Sequence, residues 1–294
     1  MNHPENPTWI ARSYGKINLG LQVLDRLPNG YHQISTGFCF IEWSDRFSVS
    51  PADELSLELN IDTIPSDESN LVIQAIRHLQ KYADFDSRLA IDLEKHIPHA
   101  AGLGGGSSNA ATIIRMINKM AGLGLSNADL ADLSVQLGAD VPFFIRGETG
   151  IASGIGNEIT PLPIQPDAWI VTVFPNKSSR TADAYQLCQP NPEPEFDLQQ
   201  TLTETSIEDW RYMIFNDLEQ AVIPRIPEIG DIRDQLYELG AVYAAMSGSG
   251  SAVYGLFDQE MAAADALNLF MDHDYPSNLT PPNFHPDTGI YRMD

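Results

Sequence analysis

The stretch 100–111, AAGLGGGSSNAA, is the part of this chain best suited to hold an anion. Glycines at 102, 104, 105 and 106 leave backbone N–H groups uncovered, so the chain can curl around a phosphate. Ser107 and Ser108 then open a helix whose unpaired N–H groups and dipole add to that attraction. Lys95 lies seven residues before Gly102, close enough to help neutralise a polyphosphate. The plainer alternative is a flexible turn between strand and helix, but the serines and the amphipathic helix that follow favour phosphate. The loop is not G-x-x-x-x-G-K-[ST], which is absent from the chain, nor G-x-G-x-x-G, because position 107 is serine. The H-R-D and D-F-G segments of protein kinases are missing too.

Asp140, in GADVPFF, sits between a helix and an apolar run, where a carboxylate can take a proton from a hydroxyl. Spacing alone leaves a second reading open, an aspartate that caps the turn before Pro142. Lys16 shares a strand face with Asn18; on general grounds such a lysine is solvated. Ser13 and Lys16 match S-x-x-K, but that serine–lysine chemistry needs a helix, and the segment alternates as a strand. Gly248, Ser249 and Gly250 form a second glycine-serine turn, either a plain hairpin or a flap closing over the same phosphate. The seven histidines show no metal-ligand spacing; His96 and His99 flank the glycine loop and pack beside it. No acidic magnesium ligand stands out.

These residues need elements to hold them. Ile17, Leu19, Leu21 and Val23 alternate with Lys16, Asn18 and Gln22, a strand pattern, and Pro28-Asn29-Gly30 reads as its turn. Short strands are expected at 37–43, 46–50, 54–60 and 89–93, and helices at 70–82 and 110–121. Ser126 with Asp129 offers a capping box. Beyond a buried strand at 169–174 and a proline-rich loop at 189–197, helical periodicity covers 207–223, 229–239 and 261–271. Strands at 241–246 and 252–257 bracket the second glycine turn, and the Pro/Asn-rich end from Tyr275 reads as a poorly ordered tail. Early strands grouped before helices favour α+β over a doubly wound parallel sheet.

Composition narrows the role. With 294 residues and 43% hydrophobic content, the chain can bury a core without disulfides or structural metal. Its two cysteines, Cys39 and Cys188, form no C-x-x-C pair. A net charge of −23 repels nucleic acid and acidic membranes, so neither is expected as a partner. Neither a signal-peptide core nor a membrane span is visible in the pattern, which points to the cytoplasm.

Together, the N-terminal strand, the P-x-x-x-G-L-G-G-G-S-S loop and the C-terminal glycine-serine turn resemble the GHMP kinase superfamily, in the expected order and across about 11–257. YGKINLGLQV, PNGYHQI, KHIPHAAGLGGGSSNAA and LGADVPFF narrow the likeness to members acting on a cytidine diphosphate alcohol. The resemblance implies an α+β fold with an S5-like N-terminal domain (1–160), a C-terminal α+β domain (161–274) and a tail (275–294). It also implies ATP, with Mg²⁺ carried on its phosphates, and small-molecule substrates. Lys16 and Asp140 match the catalytic pair. Pro98, His99, Ala100, Ala101, Gly102, Leu103, Gly104, Gly105, Gly106, Ser107 and Ser108 match the ATP loop, joined by Lys95. Asn18, Tyr31, His32, Thr181 and Tyr185 match the cytidylyl site, with His32 at the cytosine edge and Tyr31 and Tyr185 sandwiching the base. Asn216-Asp217-Leu218 fits a family pattern without an assigned role. Other GHMP substrates (homoserine, mevalonate, a sugar) and a non-catalytic nucleotide-binding module are the competing readings.

Overall fold

The alternating pattern near the N-terminus grows into a long antiparallel pair, β1 (Thr8–Arg26) and β2 (His32–Pro51), joined at the Pro28-Asn29-Gly30 turn. These are features of a computed structural model, which describes residues 7–293. Strands expected separately at 37–43 and 46–50 are one, because Ser44 and Asp45 stay paired with Tyr14 and Ser13 and no turn residue interrupts them. Register shifts between Tyr14 and Lys16, Leu19 and Leu21, and Val23 and Asp25 bend the pair.

The remaining elements of the first region follow in order: β3 (Ser56–Leu59), α1 (Leu71–Leu79), β4 (Leu89–Glu94), α2 (Gly105–Met120), α3 (Asn127–Ser134), α4 (Val141–Arg146), β5 (Gly150–Ser153) and β6 (Glu158–Pro161). Asn70 caps α1 by accepting from the Val72 N–H, and Ser126 with Asp129 closes the expected capping box on α3. The apolar stripes of α1 and α2 pack on Phe47, Val49, Ile91 and Leu93 of the sheet.

The second region holds β7 (Trp169–Val173), α5 (Thr181–Leu187), α6 (Leu198–Glu204), α7 (Trp210–Met213), α8 (Glu219–Val222), α9 (Glu228–Glu238), β8 (Tyr243–Met246), β9 (Val253–Phe257), α10 (Glu260–Asp272), β10 (Ser277–Thr280) and β11 (Ile290–Met293). Its antiparallel sheet runs β10-β7-β9-β8, with α9 and α10 packed on Val171, Val173, Val253 and Phe257. The other face, Ile170, Tyr254 and Leu256, meets Ile17, Leu19, Cys39 and Ile41 of β1 and β2. β1 is therefore enclosed on both sides, and Lys16 and Asn18, expected at a solvated face, are buried. No helix among the described residues is long and apolar enough to cross a membrane.

Two further expectations are corrected. The helix over 207–223 is broken: Leu21 of β1 donates to the Phe215 carbonyl at 2.9 Å and accepts from the Asp217 N–H at 2.9 Å. The Asn216 side chain donates to the Met246 and Gly248 carbonyls, each at 2.8 Å, so tertiary bonds outcompete helical ones there. The tail from Tyr275 is ordered rather than loose. β10 pairs with β7, β11 pairs with β1, and Thr280 accepts from the Glu42 N–H at 2.9 Å. Short polar sequences hide such strands because their partners lie far away along the chain. Deleting the chain from Ser277 onward would leave the β1 and β7 edges unpaired. The expected loss is at least ~2 kcal/mol, roughly 4 °C or more in Tm; unchanged thermal unfolding would refute the role given to these strands.

Candidate active site

Local backbone geometry sets the glycine loop. Gly102 and Gly104 have φ of 79° and 68°, where a side chain is strained. A Cβ on Gly102 would lie 2.1 Å from the Ser247 carbonyl oxygen, so only glycine lets the loop touch the second glycine turn. Gly104 is the N-cap of α2 and makes no side-chain capping bond. The first N–H groups of α2 thus face a cleft of about 1190 Å³. A Cβ on Gly104 would strike the Phe144 ring at 2.8 Å, so α4 packs directly beneath the loop.

That packing brings Asp140, at the head of α4, to Lys16 on β1: the ammonium and carboxylate are 3.5 Å apart. Asp140 makes no capping bond to its helix, which removes the plainer reading of this residue. Lys16 donates to the Asn18 Oδ1 at 2.5 Å and lies 4.7 Å from the Phe38 ring centre. Asn18 donates in turn to the Thr36 hydroxyl at 2.9 Å, and Thr36 to the Gly20 carbonyl at 2.5 Å. Asn18, expected to meet substrate, lines the cleft and accepts from Lys16 through its side-chain oxygen. Pair and chain are buried beside the loop, open to the cleft on the Asp140 side.

Two expected phosphate ligands point elsewhere. The Lys95 ammonium is buried under Gly105, paired with Asp45, and donates to Asn109 Oδ1 at 2.8 Å. Ser108 turns inward and donates to the Tyr14 carbonyl at 2.6 Å. Both are displaced because the cation and the hydroxyl find buried partners on β1 and β2. Ala101 and Leu103 keep only their backbone at the cleft, their side chains being core; the Leu103 carbonyl accepts from the Lys16 N–H at 3.0 Å. Pro98, His99, Ala100, Gly105, Gly106 and Ser107 all line the cleft, as do Gly248, Ser249 and Gly250. The two glycine turns are joined where Ser247 Oγ donates to the Gly102 carbonyl at 2.9 Å.

Tyr31, His32, Thr181 and Tyr185 also line the cleft. The rings of His32 and Tyr185 stack at 5.2 Å, with 26° between planes, while Tyr31 is exposed. Burial, and then the Arg26 charge, lower the His32 pKa from its usual 6.5. Burial and the negative charge of Asp140 push the Tyr185 hydroxyl up. Thr181 shares a 2.9 Å hydrogen bond with Ser249, joining α5 to the second turn. Leu59, Ile64, Pro65, Leu71 and Leu93 give the cleft an apolar slot, with Ser69 and Asn70 also in its lining. Sequence reasoning missed this slot, Arg26 and Asp45; the cluster of apolar and polar residues ahead of α1 was a usable signal only for the slot.

With that geometry in view, the comparisons are consistent. The GHMP kinases N terminal domain profile matches residues 70–148 and the GHMP kinases C terminal profile matches 198–271. The chain belongs to the GHMP kinases and is an ATP-using small-molecule kinase. It is 41% identical to the 4-diphosphocytidyl-2-C-methyl-D-erythritol kinase of Chlorobium luteolum, over 95% of this chain and 98% of the relative. It is 39% identical to the enzyme of the same name from Chlorobium limicola, covering 93% and 97%. A crystal structure of 4-(cytidine 5'-diphospho)-2C-methyl-D-erythritol kinase superposes with TM-score 0.78 at 30% identity, covering 92% and 98% of the two chains. A mevalonate kinase structure, at 15% identity and TM-score 0.70 over 93% and 98%, shares the fold.

The two kinds of glycine should respond differently. Gly102→Ala is expected to destabilise the protein by ~1–3 kcal/mol or more through strain and collision. Gly106→Ala, where a Cβ meets nothing within 4 Å, should leave the fold intact while raising the KM for ATP. Thermal unfolding and steady-state kinetics of both variants check this; the reverse order would contradict the loop geometry.

Proposed function

We propose that this chain transfers the γ-phosphoryl group of ATP to the 2-hydroxyl of 4-diphosphocytidyl-2-C-methyl-D-erythritol. The observation that carries the reading is the Lys16–Asp140 pair at 3.5 Å, in the cleft that the glycine loop and the His32–Tyr185 stack also line. Asp140 accepts the hydroxyl proton as that oxygen bonds to the γ-phosphorus and the bond to the ADP oxygen breaks. Lys16 offsets the negative charge that gathers around the transferring group. The loop N–H groups hold the phosphate chain, and the slot ahead of α1 takes the adenine. Neutral His32 reads the cytosine edge, while Arg26 at the cleft mouth faces the cytidylyl diphosphate.

The donor set suits an ion delivered on ATP. Among the described residues no three His, Cys, Asp or Glu side chains cluster as metal ligands. Asp140 and Ser107 are among the side-chain oxygen donors that line the cleft with the loop. Mg²⁺, which keeps several waters and binds substrate phosphates, would neutralise phosphate charge there.

Asp140→Asn is expected to lower kcat by at least ~10²-fold, the usual cost of losing a general base. Lys16→Met should depress kcat more than ATP affinity. The decisive assay is ADP release from ATP and Mg²⁺ with the cytidylyl substrate, set beside mevalonate and homoserine; faster turnover of either would replace the proposed substrate.

His32 gives a second check. Its pKa is depressed, so the neutral ring persists at pH 6.5 and protonates only below it. The KM for the cytidylyl substrate should stay flat from pH 8 to ~6.5 and rise at lower pH. His32→Ala should raise that KM and abolish the rise. A wild-type KM that already climbs between pH 8 and 7 would remove His32 from base recognition.

A further inference from the structure

The most completely buried carboxylate near the cleft belongs to Asp45 of β2, which no step above uses. Each oxygen accepts twice. One takes the backbone N–H groups of His96 and Ile97, both at 2.8 Å. The other takes the Asn109 side-chain N–H at 2.8 Å and the Lys95 ammonium. All four bonds go to residues flanking the glycine loop: three to the stem that enters it, one to the first turns of the helix that leaves it. The network continues outward, from Asn109 to the Ser13 hydroxyl at 3.0 Å and from Ser13 to Ser108 at 2.8 Å. Lys95 sits directly beneath the loop, 3.5 Å from where a Gly105 Cβ would stand.

A flexible glycine run loses its N–H alignment unless its ends are pinned, since small misplacements at a reacting centre are costly. A buried ion pair is an expensive way to add stability. Here it ties both ends of one loop to one rigid strand.

We propose that Asp45 is a positioning residue for phosphoryl transfer. With Lys95 and Asn109 it fixes both stems of the glycine loop so that the loop amides face the ATP phosphates, without touching the nucleotide. The proposal rests on the reading of the loop as the ATP phosphate site.

Because Lys95 contacts oxygens of both Asp45 and Asn109, the carboxylate and amide can be exchanged: Asp45→Asn, Asn109→Asp, and the two together. Steady-state kinetics with each substrate varied, plus thermal unfolding, form the test. Each single variant should raise the KM for ATP at least ~10-fold, with the KM for the alcohol within ~2-fold, and the double exchange should return the former to within ~3-fold of wild type. A lower Tm with both KM values unchanged would make Asp45 merely structural and overturn the proposal. Should Asp45→Asn fail to fold, Asn109→Asp and the double exchange decide alone. An unchanged ATP KM in the first, or no recovery in the second, overturns it. Wild-type protein that binds no ATP in a direct titration would overturn the loop reading itself, a result no variant can mimic.

Discussion

The site depends on one contact between main chains: the backbone at Gly102 lies against the Ser247 carbonyl, with no room for a side chain between them. That approach seats the loop from the first region on the turn from the second. The Ala252 N–H reaches the Ala101 carbonyl at 2.9 Å, and the Ser247 hydroxyl bonds both the Gly102 carbonyl and the Asn18 N–H. Asn18 in turn holds Lys16. A backbone collision avoided at one glycine is thus passed along to the ammonium beside Asp140.

The cleft also shows how a strongly acidic chain handles anions. With a net charge of −23, long-range attraction of phosphates is not available. The buried cations are instead each fastened to a carboxylate, Lys16 to Asp140 and Lys95 to Asp45. On the proposed reading, main-chain N–H groups, which carry no net charge and need no counterion, are left to meet the phosphates.

Much of this was legible in the sequence where the signal is local. The glycine run, the Ser126–Asp129 capping box, the turn at Pro28-Asn29-Gly30 and the α1 and α2 stripes all follow from residues within a few positions of one another. The pairing of Lys16 with Asp140 followed from family likeness, not spacing, since the two are far apart in the chain. What could not be read was set by distant partners. Lys95 looks like a free cation until Asp45 is placed beside it. The periodicity over 207–223 is helical until Leu21 claims its backbone, and the segment after Tyr275 looks unstructured until β1 and β7 offer their edges. Asp45 itself lies in an unremarkable WSDRF segment, and nothing adjacent marks it as the residue that holds the loop stems.

The order in which the chain leaves the ribosome meets an obstacle in β11. β1 is made long before its outer neighbour β11, with both regions of the chain lying between them. Likewise β7 waits for β10 across most of the second region. Each sheet stays incomplete until its later strand has been made, so region-by-region maturation passes through half-edged intermediates. Until β11 and β10 dock, the nascent kinase carries sticky strand margins at β1 and β7.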